Sequence, residues 1–259
     1  MSNKLKYATH TNNLLSIIKL KNLYKIYGDN ADAYISKVKN GINKQQLRQM
    51  HDHILALNNL TLDIVPKTVQ VIIGLQESGK STLINLLSKS IEPTDGGLFV
   101  QGTTANLNGK FNLFLNKTIL ENVMHEVDES KKSKAIELLD FFNLSEYQNK
   151  YPINLKKGFE QKVGLVRAYL KDPDILLLDE CTQYVDKYIQ EEILDAILKM
   201  QLKNKKTIVF ISHNIEETLK IADRIAILKD GALYQEGTLK QILQNPETKN
   251  IIGEITNNL

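Results

Sequence analysis

Residues 74–82, GLQESGKST, have the types and spacing of a loop that binds the phosphate chain of a nucleotide. They fit the pattern G-x-x-x-x-G-K-[ST] between a predicted strand and a predicted helix. The glycines let backbone N–H groups wrap phosphate oxygens, Lys80 would reach the β- and γ-phosphates, and Ser81 would offer a hydroxyl to Mg²⁺. The alternative is a chance turn before a helix. The residues expected to bind the nucleotide here are Gly74, Gln76, Glu77, Ser78, Gly79, Lys80, Ser81 and Thr82.

A second stretch, ILLLDE at 175–180, ends an apolar run with two carboxylates. A buried strand that ends at Asp179 would place this carboxylate beside the metal, so Ser81 and Asp179 are the expected Mg²⁺ ligands. Glu180 would then act as general base on a water molecule, or orient it. Without the phosphate loop, an ordinary buried strand with a charged end would explain the same residues.

Two further side chains end predicted strands. His213 closes the segment 206–213. A lone histidine there is more often structural, but its position after two phosphate motifs favours a contact with the γ-phosphate. Tyr27 closes the first predicted strand, within 16–28, and could stack on a nucleotide base. A half-buried core aromatic is an equally good reading of Tyr27.

The elements that must hold these residues alternate between strand and helix. The unbroken apolar runs within 174–180 and 206–213 are typical of strands buried on both faces, as in a parallel sheet. The pair Asp230-Gly231 predicts the turn of a hairpin over 224–237. The order predicts an α/β sheet with helices on both faces. The other predicted elements are strands at 60–64, 68–74 and 96–102, helices at 80–91 and from Thr238, and helical segments within 29–55 and 117–150.

Composition sets limits on the class of protein. The chain has 259 residues, of which 42% are hydrophobic and 24% charged, as in a globular protein. The net charge of +3 is close to balance, so a nucleic-acid partner is not expected. A single cysteine, Cys181, excludes a disulfide within the chain and fits a reducing compartment. We find no apolar run near the roughly 18 residues that span a bilayer and no secretory signal, so a cytoplasmic location is expected.

Three segments in this order resemble an ABC transporter ATPase: GLQESGKST, then LKKGFEQKVGLVRAYLKDPDILLLDE, then TIVFISHNIEETLKIADRIAILKDGALYQEG. The resemblance extends over about residues 16–250. The segment NLYKIYG, followed by the helical insert at 29–55, is similar to the ATPases of quaternary-amine (glycine betaine/proline betaine) importers.

The resemblance implies a P-loop NTPase of the ABC cassette type. It would have a mainly parallel sheet, an N-terminal antiparallel β subdomain and a helical subdomain at about 105–170. The ATPase domain would cover 16–250, between a polar arm at 1–15 and a tail at 251–259.

The resemblance also implies ATP and Mg²⁺ as ligands, with Glu180 and His213 as the catalytic residues. Two such ATPases would face each other head to tail, as a homodimer or a heterodimer. The helical subdomain would dock onto a transmembrane permease at the inner face of the cell membrane, and a substrate-binding protein would act indirectly.

The sequence departs from the family at the signature L-S-G-G, where it has Leu155, Lys156, Lys157 and Gly158. Apolar spacing predicts a helix that begins near Lys156 or Lys157, where each positive charge would oppose the helix dipole by about 0.3–1 kcal/mol. The lysines would be stabilised if they faced a γ-phosphate across the dimer, since two charges about 4 Å apart interact by about 4 kcal/mol at a dielectric near 20. The alternative is that they point into solvent under relaxed constraint.

Two more departures concern neighbouring loops. The family carries a glutamine near the position of Gly109 or Lys110, and no such glutamine is recognisable here. The family's S-A-L-D loop is represented by Gln183, Tyr184 and Val185, and only its aspartate, Asp186, is kept.

These features support a nucleotide-hydrolysing subunit of an importer for betaine-type osmolytes. They leave open a regulatory or catalytically weak subunit that works with an intact partner ATPase. A soluble ABC protein acting on ribosomes or DNA is less favoured, because the chain has neither tandem cassettes nor a long coiled-coil insertion.

Overall fold

The computed structural model describes residues 16–108 and 113–257. The polar arm expected at 1–15 lies outside the described residues. So do Gly109 and Lys110, where the family's glutamine would align.

In chain order the strands and helices are β1 (Ile18–Tyr27), α1 (Ile35–Lys39), α2 (Lys44–His51), β2 (Ile54–Ile64), β3 (Val69–Gly74), α3 (Lys80–Leu87), β4 (Asp95–Val100), β5 (Thr104–Asn108), α4 (Ile119–Val123), α5 (Lys132–Phe141), α6 (Phe159–Leu170), β6 (Ile175–Asp179), α7 (Lys187–Asn204), β7 (Thr207–Ile211), α8 (Ile215–Ile221), β8 (Arg224–Lys229), β9 (Ala232–Thr238), α9 (Leu239–Gln244) and α10 (Pro246–Asn257). Short 3₁₀ turns lie at Ala31–Tyr34, Glu129–Lys131, Ser145–Tyr147 and Pro152–Asn154. No helix in these described ranges is long and apolar enough to cross a bilayer.

The larger sheet has six strands in the order β5-β6-β7-β3-β8-β9. All neighbours are parallel except the hairpin β8–β9, so the predicted α/β class is confirmed. Strand β3 is central, and its alternate residues enter two different cores: Val71 packs in one and Ile72 in the other. Burial on both faces is what its unbroken apolar run predicts. The parallel strands therefore bring their C-terminal ends to one edge, where the phosphate loop begins.

A second, antiparallel sheet has the order β2-β1-β4. Its strand β2 starts at Ile54, earlier than the strand predicted at 60–64, and pairs with the end of β1 through Tyr27 and Ile54. The insert predicted at 29–55 is therefore helical only as far as His51. The helix ends there because Asp52 adopts a left-handed conformation with φ 53°.

The insert helices pack on this smaller sheet through a separate apolar cluster. Its buried members are Tyr24, Ile26, Val38, Leu47 and Leu55. Helix α2 begins with a capping box, in which the Asn43 side chain accepts the N–H of Gln46 and the Gln46 side chain accepts the N–H of Asn43. Cap and cluster together fix the position of α2.

The helical region differs from expectation at its start. Residues 104–108 form β5, which pairs in parallel with β6, so the part expected from about 105 begins with a strand of the sheet. Helix α6 starts at Phe159, later than the predicted start at Lys156 or Lys157. The reason is Gly158, whose φ of 87° interrupts the helical conformation before Phe159.

The C-terminal part shows the predicted hairpin, with Asp230 and Gly231 both at positive φ. The domain end expected at 250 does not coincide with a break in the structure. Helix α10 continues across it, and Ile251 is buried in the larger core. The segment expected as a tail thus begins within a packed helix.

Candidate functional site

The phosphate loop connects the end of β3 to the start of α3, as the sequence predicts. The two glycines of the sequence pattern, Gly74 and Gly79, have no room for a side chain. A Cβ atom on Gly74 would lie 2.4 Å from the carbonyl oxygen of Leu228, and one on Gly79 would lie 2.6 Å from that of Ala56. Gly79 also has a φ of 99°, a conformation that glycine adopts without strain. Neighbouring strands therefore hold the loop tightly from both sides.

Lys80 is folded into this loop. Its ammonium group donates hydrogen bonds to the carbonyl oxygens of Gly74 and Leu75, each at 2.8 Å, and to the hydroxyl of Ser78 at 3.3 Å. Burial lowers the pKa of Lys80, and the negative charges of Glu180 and Asp179 oppose this shift. The positive charge is thus held where a phosphate chain would enter the loop.

Ser81 and Asp179 lie next to each other, although they are far apart in sequence. The Ser81 hydroxyl donates a hydrogen bond to the Asp179 carboxylate, and burial raises the pKa of Asp179. The Oδ1 atom of Asp179 is buried without a hydrogen-bond partner among the described residues. A hydroxyl beside a carboxylate with one unpartnered oxygen fits Mg²⁺, which binds through a few protein oxygens and completes its shell with water and phosphate. The described residues contain no cluster of three or more acidic, histidine or cysteine side chains that could hold a metal alone.

Glu180 and His213 meet at the ends of adjacent strands. Asp179 pairs with Ile211 in the sheet, so the residues that follow each strand emerge side by side. The Nδ1 atom of His213 lies 3.2 Å from Oε1 of Glu180, and both side chains are about 30% exposed. The structure therefore brings together the two residues that the sequence predicts as catalytic.

Lys80, Ser81, Glu180 and His213 line one cavity of about 660 Å³, and Asp179 adjoins it through its hydrogen bond with Ser81. The predicted residues that line it are Tyr27, Gly74, Gln76, Glu77, Ser78, Gly79, Lys80, Ser81, Thr82, Glu180 and His213. Within this lining, Tyr27 is 37% exposed and its sheet partner Ile54 is 48% exposed. The Tyr27 hydroxyl lies 3.4 Å from that of Thr82. Stacking of a base on Tyr27 stays a prediction, and the exposed ring provides the surface for it.

Comparisons with known proteins agree with this geometry. Residues 57–183 match the family described as ABC transporter. The chain is 32% identical over 256 residues to the trimethylamine N-oxide transport system ATP-binding protein TmoW of Pelagibacter ubique, covering 90% of this chain and 75% of that protein. The chain belongs to the ABC transporter ATP-binding protein family.

Two further relatives place this ABC protein more closely. It is 35% identical over 252 residues to the glycine betaine/proline betaine transport system ATP-binding protein ProV of Escherichia coli, covering 88% of this chain and 63% of that protein. The chain thus spans less than two thirds of ProV. A solved dimer of the cassette MJ0796, in a post-hydrolysis state bound to ADP and Pi, superposes with a TM-score of 0.70 at 26% identity, covering 86% of this chain and 98% of that one.

The signature-like residues of this ABC cassette lie outside the cavity. Gly158 is buried against the start of α7, where a Cβ atom would lie 3.1 Å from Val185 and 3.2 Å from Ile189. Leu155 packs at the margin of the larger core.

The two lysines of this loop have different surroundings. A hydrogen bond with Tyr147 raises the pKa of Lys156, and its ammonium lies 5.8 Å from the centre of the Phe159 ring. Lys157 is exposed. Lys156 is therefore tied to the helical region, and Lys157 is the lysine that can face another molecule.

The segment that follows Glu180 leads into helix α7, which packs against the signature-like loop. Asp186 caps α7 by accepting the N–H of Ile189 at 2.9 Å. One turn into α6, the buried Lys162 forms an ion pair with Glu192 of α7 at 2.5 Å. The loop at 155–158 is thus held by helices α6 and α7.

Sequence reasoning missed several residues that line the cavity. Lys44, Arg48 and Ile54 come from the insert and from the start of β2, and Leu75, Gln183 and Ala56 complete the lining. Lys44 and Arg48 are four residues apart, the spacing of one helix face, which was visible in the sequence. Their position against the phosphate loop depends on the pairing of β1 with β2, which the sequence did not reveal.

Proposed function

We propose that this chain is the ATP-binding subunit of an ABC importer that couples the binding and hydrolysis of Mg-ATP to the uptake of a solute. The observation that carries the proposal is the convergence of Lys80, Ser81 and the Glu180–His213 pair on one cavity, with Asp179 hydrogen-bonded to Ser81. These are the groups needed to bind a triphosphate and its metal and to activate water.

The phosphate loop does the binding. Its backbone N–H groups and the N-terminus of α3 face phosphate oxygens, and the Lys80 ammonium exchanges its carbonyl partners for the β- and γ-phosphates. The oxygens of Ser81 and Asp179 would hold Mg²⁺. When bound, this ion neutralises phosphate charge and orients the γ-phosphoryl group.

Glu180 and His213 act on the attacking water and on the γ-phosphate. Glu180 accepts a proton from the attacking water, or orients it, while the oxygen bonds to the γ-phosphorus. The bond between the γ-phosphorus and the β,γ-bridging oxygen breaks, and ADP and inorganic phosphate result. His213 contacts the γ-phosphate, and its hydrogen bond with Glu180 couples the two side chains.

The solute is proposed from the relatives. ProV is named for glycine betaine and proline betaine transport, and TmoW for trimethylamine N-oxide transport. All three solutes are small methylated amine compounds, so we propose glycine betaine, proline betaine or a related osmolyte.

The proposed assembly follows the same reasoning. The subunit would pair with a second ABC ATPase and dock through its helical region onto a transmembrane permease, which receives solute from a substrate-binding protein. It would therefore work in the cytoplasm, peripheral to the inner face of the membrane. The dimeric state of the MJ0796 cassette supports the pairing.

A second candidate is a catalytically weak or regulatory subunit that works with an intact partner ATPase. It is favoured by Lys156 and Lys157, which stand where the family has a serine and a glycine. In a mixed pair, one site would combine this chain's phosphate loop with the partner's complete signature and turn over. The other would meet the two lysines and hold ATP without aligning it.

A turnover assay tests the main proposal. The purified subunit should hydrolyse Mg-ATP, more rapidly when co-purified with its permease, and the complex in vesicles should take up radiolabelled glycine betaine only when ATP is supplied. ATP binding without turnover, in the subunit alone and with its permease, would favour the second candidate. No ATP binding at all would reject both.

A further inference from the structure

We propose that helix α2 of the insert is part of the nucleotide site, with Arg48 binding the α-phosphate of the nucleotide and Lys44 positioning the phosphate loop. The inference rests on the proposed ATP-binding function and adds residues that lie outside the family's phosphate motifs. Both side chains line the cavity that holds Lys80 and Glu180.

Helix α2 has a fixed position beside the cavity. The capping box at Asn43 defines its start, and Leu47 is fully buried in the apolar cluster on the smaller sheet. Lys44 and Arg48 are four residues apart on one face of α2, and both line the cavity. A helix anchored in this way presents its side chains in a defined direction.

Lys44 contacts the outermost part of the phosphate loop. Its ammonium donates a hydrogen bond of 2.7 Å to the carbonyl oxygen of Glu77 and lies 3.7 Å from the Glu77 carboxylate. Glu77 has a φ of 58°, so this part of the loop adopts a left-handed conformation. Lys44 is also the first residue of α2, where a positive charge opposes the helix dipole. The contact with Glu77 offsets this repulsion and ties the loop to the insert.

Arg48 lies one turn further along the same face of α2. The helix starts at the contact with Glu77 and leads, through Asp52, to Ile54, which pairs with Tyr27 and lines the same cavity. Along the chain, Arg48 therefore lies between the contact with the phosphate loop and the residue paired with Tyr27. A nucleotide has its ribose and α-phosphate between the base and the terminal phosphates, and of these two the α-phosphate is the anion that a guanidinium binds.

The chemistry of Arg48 suits this role. Its side chain is exposed to the cavity, and within 16–108 and 113–257 the structure records no hydrogen bond or ion pair for it. The nearest acidic residue of the loop, Glu77, already contacts Lys44. A guanidinium group can donate two parallel hydrogen bonds to phosphate oxygens, and such charged hydrogen bonds are about twice as strong as neutral ones.

Nucleotide titrations test Arg48. The variant Arg48→Ala should bind ATP and ADP about tenfold to a hundredfold more weakly, because a charge-assisted hydrogen bond is lost. The loss should be equal for the two nucleotides, since both carry the α-phosphate, and it should shrink as KCl is raised. Arg48→Lys should recover part of the affinity. The matched control is Gln49→Ala, at the next, exposed position of α2 and outside the cavity lining.

A second pair of variants tests Lys44. Lys44→Met removes the donor to the Glu77 carbonyl and should weaken ATP binding about threefold to tenfold, as expected for one hydrogen bond. Lys44→Arg keeps a long, positively charged donor and should stay closer to the parent. A merely structural role would instead lower the thermal midpoint of both variants and leave the affinity of the folded protein unchanged.

The outcomes separate this inference from the proposed function. If Lys80→Ala weakens binding at least tenfold while Arg48→Ala stays within twofold of the parent, the inference about Arg48 is wrong and the ATP site stands. A loss confined to ATP would place Arg48 at the γ-phosphate and overturn the assignment. If the parent binds neither nucleotide, the proposed function fails and this inference fails with it.

Discussion

The phosphate loop at 74–79 and the signature-like loop at 155–158 end in the same way. Each reaches its helix through a left-handed glycine, Gly79 with φ 99° before α3 and Gly158 with φ 87° before α6. Their lysines differ in position and in surroundings. Lys80 follows its glycine and is folded onto loop carbonyls, whereas Lys156 and Lys157 precede theirs and are exposed. In these two loops, the lysine that follows the left-handed glycine is folded onto loop carbonyls, and the lysines that precede it are exposed to solvent.

The largest effect, a loss of turnover, should come from Glu180, the proposed general base. Glu180→Gln should lower turnover by about 10²–10⁴-fold, the usual contribution of a general base, while ATP remains bound. The measurement is steady-state phosphate release together with an ATP titration. Glu216→Gln, which changes an exposed glutamate, should keep parental turnover. Unchanged turnover in Glu180→Gln would move the base elsewhere or reveal a contaminating ATPase.

The second effect is a loss of Mg-ATP affinity when Lys80 is replaced. Lys80→Ala should weaken Mg-ATP binding by about tenfold to a hundredfold, because the charged hydrogen bonds to the phosphates are lost. Calorimetry should show this loss, and the exposed Lys199→Ala should bind like the parent. Equal affinity in Lys80→Ala and the parent would show that the loop does not bind phosphate.

The ion pair that joins α6 to α7 beside the signature-like loop can be tested by its contribution to stability. Lys162→Met should lower the free energy of unfolding by about 1–3 kcal/mol, because the buried ion pair with Glu192 is broken. The loss is limited because Asn143 and Tyr188 still donate to Glu192. In the matched control, Lys187→Met breaks the exposed pair with Glu216 and should cost less than about 1 kcal/mol. Urea denaturation measures both, and equal losses would contradict a special role for the α6–α7 pair.

The smallest and most informative effect concerns the two lysines. The double variant Lys156→Ser with Lys157→Gly should raise turnover several-fold to about tenfold, if long side chains keep the hydroxyl and backbone contacts from aligning the transition state. ATP affinity should fall or stay level. Removing two exposed lysines of the same region, with Lys132→Ser and Lys134→Ser, should leave turnover unchanged.

A turnover that does not rise would indicate another limit in this subunit. The region near Gly109 and Lys110, where the family's glutamine is absent, would then be limiting, or the subunit alone would not form a closed pair. The single variants add a further distinction. Lys157→Gly should account for most of the rise, because Lys156 is tied to Tyr147.

Much of the phosphate site follows from the sequence alone. The pattern from Gly74 to Ser81 fixes the end of a strand, a loop and the start of a helix within eight residues, and local geometry is enough to position its groups. Asp179 and Glu180 follow an unbroken apolar run, which predicts a central strand and hence their place at the same edge. These predictions succeed because each depends on contacts close in sequence or on burial of a whole strand.

The parts that the sequence did not reveal depend on long-range pairing or on single backbone angles. Arg48 reaches the cavity only because β1 pairs with β2 and the insert packs on that sheet. The start of α6 was predicted too early, since apolar spacing from Phe159 onward does not fix the first residue of a helix, and the left-handed Gly158 does. The packing of Ile251 could not be foreseen, because the surface that covers it comes from residues distant in the chain.

The turn at Asp230-Gly231 has a consequence for protein engineering. Hairpin turns at a surface are ordinary sites for epitope tags, inserted domains or permuted termini. Gly231, however, is buried: a Cβ atom there would lie 2.7 Å from the carbonyl oxygen of Ala56, the same oxygen that faces Gly79. The Asn58 N–H also donates to the Gly231 carbonyl at 2.9 Å. A tag inserted at this turn would therefore disturb β2 and the phosphate loop. In a library of point variants selected for nucleotide binding, substitutions at Gly231 would reduce binding although the residue lies in a hairpin turn.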